Sequence, residues 1–174
     1  MALIKDRKLA HDRWKLLDAI PVGEDGVARE LPDGDVIVPL AAWRNLREQL
    51  IARDGRVGVW LAGNEEPGDI VADLGLLDVV AVRFASFTDG RGYSIGRLLR
   101  DRYGWRGELR AIGDVQRDQI FYLARCGFDA FALREGEDPQ TALTAFDDFS
   151  QAYQTSLDRP IALFRRREGA GSLR

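Results

Sequence analysis

From position 87 the chain reads Phe87-Thr88-Asp89-Gly90-Arg91-Gly92-Tyr93-Ser94. Two glycines flank an arginine, and an acid and a hydroxyl lie close by. Glycine can take positive φ, so successive backbone N–H groups can be aimed into one concavity. A helix starting just after it would present the positive end of its dipole, and Arg91 would add a full charge. Together these suit a small oxyanion such as phosphate, sulfate, sulfite or a carboxylate. The same residues also make an ordinary turn. Asp89 or Ser94 would then cap a helix, Gly90 and Gly92 would bend the chain, and Arg91 would pair with an acid. Both readings stay open at this level.

Three more arginines sit within apolar runs: Arg83 in 79–85 (VVAVRFA), Arg110 in 109–113 (LRAIG) and Arg134 in 130–134 (AFALR). Side chains alternate along a strand. Arg83 therefore shares a face with Ala81 and Ala85, Arg110 with Ile112 and Asp114, and Arg134 with Ala130 and Ala132. If those faces coincide, the guanidinium groups converge near Asp114 and Asp89. A buried arginine must be paired. Internal acids would make a structural network, whereas unspent donors would take an anionic ligand. Ligands of parallel α/β folds bind outside the carboxyl ends of the strands, here 87–94, 113–118 and 135–138. The candidate ligand-binding set is Arg83, Asp89, Gly90, Arg91, Gly92, Ser94, Arg110, Asp114, Arg117 and Arg134. Asp114 is the candidate acid or base for any reaction there.

Other chemistry is excluded by counting. The 174 residues include one cysteine, Cys126, and one histidine, His11. That gives no internal disulfide, no dithiol redox pair, no iron–sulfur ligand set and no tetrahedral zinc site. No nucleophile elbow, GxGxxG or Walker-A loop occurs. Cys126 reads as a small buried apolar residue, His11 as a surface residue, and Trp14, Trp43, Trp60 and Trp105 as core or interface anchors. Asp147 and Asp148 read as a solvated helix face. A net charge of −3 argues against a nucleic-acid binder. The apolar runs are far shorter than the ~20 residues of a membrane span. The charged amino-terminal stretch lacks the apolar core of an export signal, so a cytoplasmic location is expected.

The runs that carry these residues are 57–62, 79–85, 109–113 and 130–134, each followed by a segment of helical character. Runs apolar on both faces suit a buried parallel sheet. Ile95, Leu98, Leu99 and Tyr103 mark the second helix, and Ile120, Leu123 and Ala124, closed by Gly127, the third. Asp138 and Pro139 start the fourth as N-cap and first residue, with Ala142, Ala145, Phe146, Phe149, Ala152 and Tyr153 as its stripe. The pattern predicts an α/β fold: four consecutive βα units with a parallel sheet, half-barrel-like or open three-layer. Residues 1–55 form an irregular strand and helix extension that covers the sheet. It has turns at 23–26 and 32–34, a strand at 35–38, and a helix marked by Leu40, Trp43, Leu46 and Leu50. The α/β core runs over 56–160 and a flexible tail over 161–174, as one domain overall.

The segments RVGVWLA, FTDGRGYSIGRLLRDRYGWRGELRAIGDVQRDQIFYLARCGFDAFAL and AFDDFSQAYQ, with IKDR and DVIVPLAAW before them, resemble an uncharacterised bacterial family. Its members are described as oxidoreductases of sulfite reduction, and their genes neighbour those for sulfite reductase and phosphoadenylyl-sulfate (PAPS) reductase. The resemblance spans roughly residues 2–153. It implies a pathway and no catalytic residues. Its oxidoreductase label conflicts with a chain that has no recognisable cofactor motif and no dithiol, which leaves only a non-standard flavin or nicotinamide site at the strand ends. The expectation is an accessory protein of assimilatory sulfate or sulfite reduction. It would bind sulfite reductase, PAPS reductase or a small sulfur oxyanion, with exposed apolar surface serving a partner or a homodimer. The alternative is a small α/β enzyme acting on an anionic sulfur metabolite.

Overall fold

A computed structural model describes residues 2–148. The tail at 161–174, and Phe149, Ala152 and Tyr153 of the fourth helical stripe, lie outside the described residues.

Four parallel strands follow the four apolar runs: β5 (Val57–Ala62), β6 (Val79–Phe84), β7 (Glu108–Gly113) and β8 (Ala130–Ala132). Helices α2 (Arg91–Asp101), α3 (Arg117–Arg125) and α4 (Pro139–Thr144) follow the last three. The segment after β5 is not an α-helix. Pro67–Leu76 winds as a 3₁₀ helix, where Gly68 and Gly75 weaken any α-helical preference. The amino-terminal helix α1 (Leu40–Ala52) buries Leu40, Trp43, Leu46 and Leu50 as their spacing predicts. Gly127, at φ 102°, follows α3. Asp138 caps α4 by accepting from the Gln140 and Thr141 amides.

The amino-terminal extension does not simply cover the sheet; it enters it at both edges. Strands β1 (Leu3–Lys5), β2 (Lys8–Ala10), β3 (Lys15–Leu16) and β4 (Val36–Pro39) complete one eight-stranded sheet, ordered β2-β1-β8-β7-β6-β5-β4-β3. β1 runs antiparallel to β8 and β2, while β3 and β4 extend the parallel array beyond β5.

This order dictates curvature. β2 and β3 lie at opposite ends of the sheet, which would stand about 33 Å apart were it flat. Only residues 11–14 join them, and five Cα steps reach at most about 19 Å. The sheet must therefore curl, and it forms a half-barrel. The two cores agree. The buried aliphatic and aromatic side chains of the helices pack with the convex-face residues, among them Val59, Leu61, Val80, Val82, Phe84 and Phe131. Leu3, Ile37, Val79, Ala81, Ile112, Ala130 and Ala132 form a separate concave-face cluster with Trp14, Leu16 and Trp60 against it. No helix among the described residues is long and apolar enough to cross a membrane.

Candidate functional site

The register tests the expectation that the strand arginines share a face. Ala81 stands opposite Arg110, Arg83 opposite Ile112, and Arg110 opposite Ala130. Arg83 and Arg110 therefore point into the concave side. The alanines beside Arg110 leave room for its side chain, which is only 3% exposed.

The arginines do not converge on Asp114 and Asp89, because each finds its own acid. Arg110 turns to the amino end, donating from Nε to Glu108 at 2.7 Å and from Nη1 to both carboxylate oxygens of Asp12 at 2.9 and 3.0 Å. Arg83 pairs with Asp18 and stacks 4.0 Å over the Trp60 ring. Only Arg134 reaches Asp114, at 3.3 Å, and it also donates to Glu137 at 3.1 Å. For Arg110 the driving force is the cost of an unpaired charge in an apolar interior.

At the carboxyl ends, Asp114 accepts from Gln116 Nε2 at 3.1 Å, the Phe87 amide at 2.9 Å and Arg134. These donors, Gln116 foremost, hold its carboxyl below the usual range. The same donors are three of the contacts that fix the Asp114 carboxylate at the strand ends. Arg91 makes a two-point pair with Asp89 at 2.9 Å and donates its amide to the same carboxylate. The Asp89 carboxyl is correspondingly depressed, mainly by Arg91. Arg117 pairs with Asp148 at 2.5 Å and with Asp118 at 3.3 Å, Asp148 being the main cause of its raised pKa. Ser94 is exposed on α2 and does not cap it; the N-cap is Gly90, with no side-chain cap bond.

The glycines work differently from expectation. Gly90 has φ −80°, and Gly92 is not among the positive-φ glycines. Gly92 is a packing residue, since a Cβ there would meet the Phe84 ring at 2.7 Å. The left-handed glycine of this region is Gly113, at φ 92°. Cys126 is buried, and burial raises its thiol pKa, in keeping with an inert core residue.

Two partners of Arg110 escaped the sequence reading. Glu108 lies two residues before it on the same strand face, a signal that parity could have supplied. Asp12 sits on the four-residue link between β2 and β3, and nothing local announces that it crosses the sheet.

The family model "Bacterial protein of unknown function (DUF934)" matches residues 58–164, more than half of the chain, so the chain belongs to that family. A search of curated proteins finds no match.

Proposed function

We propose, proceeding from membership in that family, that this protein is a cytoplasmic accessory component of assimilatory sulfate or sulfite reduction. It acts by binding a partner enzyme, sulfite reductase or PAPS reductase, through the surface at the carboxyl ends of its parallel strands. The pathway rests on the resemblance of its segments to proteins encoded beside those enzymes. The mode of action rests on one observation. Every candidate cation at that end is tied to a carboxylate: Arg83 to Asp18, Arg91 to Asp89, Arg117 to Asp148, Arg134 to Asp114 and Glu137. A free oxyanion would have to break one of these pairs. A surface whose candidate cations are all paired, carrying an exposed aromatic, Phe87 at 47%, suits a protein contact better.

The test is an affinity pull-down of the full chain from cells grown on sulfate as sole sulfur source, read by mass spectrometry. Stoichiometric sulfite reductase or PAPS reductase is expected, and Phe87→Ser should weaken its recovery by about tenfold or more. A partner-free protein overturns the reading. The oxyanion version would act at the longest of these pairs, Arg134–Asp114 at 3.3 Å. A thermal shift with sulfite or sulfate that is lost in Arg134→Ala would favour it. A yellow preparation with a flavin spectrum would favour the small α/β enzyme instead.

A further inference from the structure

The opposite end of the half-barrel holds a cavity of about 420 Å³, in the range of small-molecule sites. Leu3, Ala10, Val79 and Trp14 of the concave-face cluster supply its apolar lining. Its charged lining includes Arg110, Arg56, Arg13, Lys5, Glu108 and Asp78, beside the chain's single histidine, His11.

The donors and acceptors here are unequally spent. Both oxygens of Glu108 are taken, one by Arg110 Nε and one by Lys5 Nζ, each at 2.7 Å. The Arg110 bonds use Nε and Nη1, and Nη2 has no partner among the described residues. Among those residues the one sealed side-chain nitrogen or oxygen lacking a partner is Gln119 Nε2. Arg110 Nη2 is therefore not sealed in the protein, and the Arg110 side chain lines the cavity. Arg56 repeats the arrangement. Nε and Nη2 are held by Asp35 at 3.2 and 2.7 Å, and Nη1 stands 3.7 Å from Asp78, beyond hydrogen-bond range. Arg13 touches Asp35 through Nε alone, at 3.3 Å. Asp12 and Asp35 thus hold guanidinium groups in place while leaving N–H groups directed elsewhere. A buried, oriented arginine with spare donors is arranged to receive an acceptor.

We propose that this amino-end cavity binds a small organic oxyanion. Its carboxylate or phosphate group accepts from Arg110 Nη2 and Arg56 Nη1, and its short apolar body lies against Val79, Leu3 and Trp14. The site is separate from the carboxyl-end surface and does not depend on the partner reading. The four lining cations are balanced by Glu108, Asp78, Asp12 and Asp35, so recognition comes from oriented donors and apolar contact, not from net charge. A ligand that joins an oxyanion to an apolar body should therefore outbind either part alone.

His11 gives a unique reporter. The full chain is titrated with phenyl phosphate, benzoate, inorganic phosphate and phenol, and the imidazole resonances of His11 are followed by NMR. A saturable shift is expected with phenyl phosphate or benzoate, at least about tenfold tighter than with inorganic phosphate or phenol. Arg110→Lys keeps a charge for Asp12 and Glu108 but removes the fork, and should weaken binding by about tenfold or more. Arg56→Lys, at the better exposed of the two donor residues, carries the same test should Arg110→Lys unfold. The proposal is overturned if no probe gives a saturable shift up to about 10 mM. It is equally overturned if affinity is unchanged in the folded variants.

Discussion

At the residue scale, the carboxyl ends of the strands are governed by carboxylates that have found donors. Asp89, Asp114 and Asp138 are each held below the ordinary range, by Arg91, by Gln116 and by Thr141 respectively as the leading cause. A carboxyl depressed in the folded state contributes stability that is fully present above its unfolded pKa, near 3.9, and lost as pH falls through the folded value. Asp129 works the other way. Burial raises its pKa although Leu109 and Arg100 donate to it. The folded protein then holds that proton longer, so its contribution falls as pH rises from about 3.9 to the folded pKa, a penalty at neutral pH. Because the depressed groups outnumber Asp129, the urea midpoint should stay flat from pH 8 to about 5 and drop steeply below about pH 4. Asp114→Asn and Asp89→Asn should each flatten that acid limb. An acid limb identical to wild type in both variants would show that these hydrogen bonds are no stronger than those of the unfolded chain with water.

At the element scale, the close approach of α2 to the sheet rests on two glycines one helical turn apart. A Cβ on Gly92 would meet the Phe84 ring at 2.7 Å, and one on Gly96 would meet the Phe128 ring at 2.4 Å. On a free helix surface, Gly→Ala gains up to about 1 kcal/mol. Here overpacking against two rings that themselves meet edge-on at 5.9 Å reverses the sign. Gly96→Ala should lower the unfolding free energy by about 2 kcal/mol, measured by chemical denaturation, with helix content preserved. A stabilised variant would mean that Phe128 moves aside without cost. These glycines also show where reading by residue type fails. Gly92 has the composition of a flexible phosphate loop, yet it is fixed in a helix by a ring that lies eight positions earlier in sequence. The strands fared better. β5 covers the run at 57–62 in full, and β6 and β7 differ from theirs by one residue, since a buried parallel strand declares itself by an unbroken apolar run. β2, of three residues, carries too little pattern to be seen; its hairpin with β1 makes it a strand. β3 lies inside the short apolar piece 14–17 and becomes a strand only by pairing with β4.

At the scale of the whole molecule, strand order was illegible because it is fixed by non-local pairing, yet it determines where chemistry can sit. Lys8–Ala10 pairs with β1 at one edge, and Lys15–Leu16 pairs with β4 at the other. The intervening residues strap the open side of the half-barrel. The same strap carries Asp12 to Arg110 and His11 to the rim of the amino-end cavity. A residue pair 98 positions apart thus ties the chain's start to the centre of its sheet. Stripping one partner from a buried ion pair costs about 3–5 kcal/mol. Asp12 is 27% exposed and Glu108 remains bound to Arg110, so Asp12→Ala should cost less, about 2 kcal/mol. The loss should also be directional. The Lys15 and Leu17 amides donate to Asp35 and Ile37 carbonyl oxygens at 2.9 Å and hold the strap's far end. In native-state hydrogen exchange, those two amides should lose protection beyond the global change, while the Leu109 amide and those of α3 follow the global stability alone. Uniform acceleration across all of them would show that strap and barrel open as one unit, with Asp12 securing the whole sheet and not its closure.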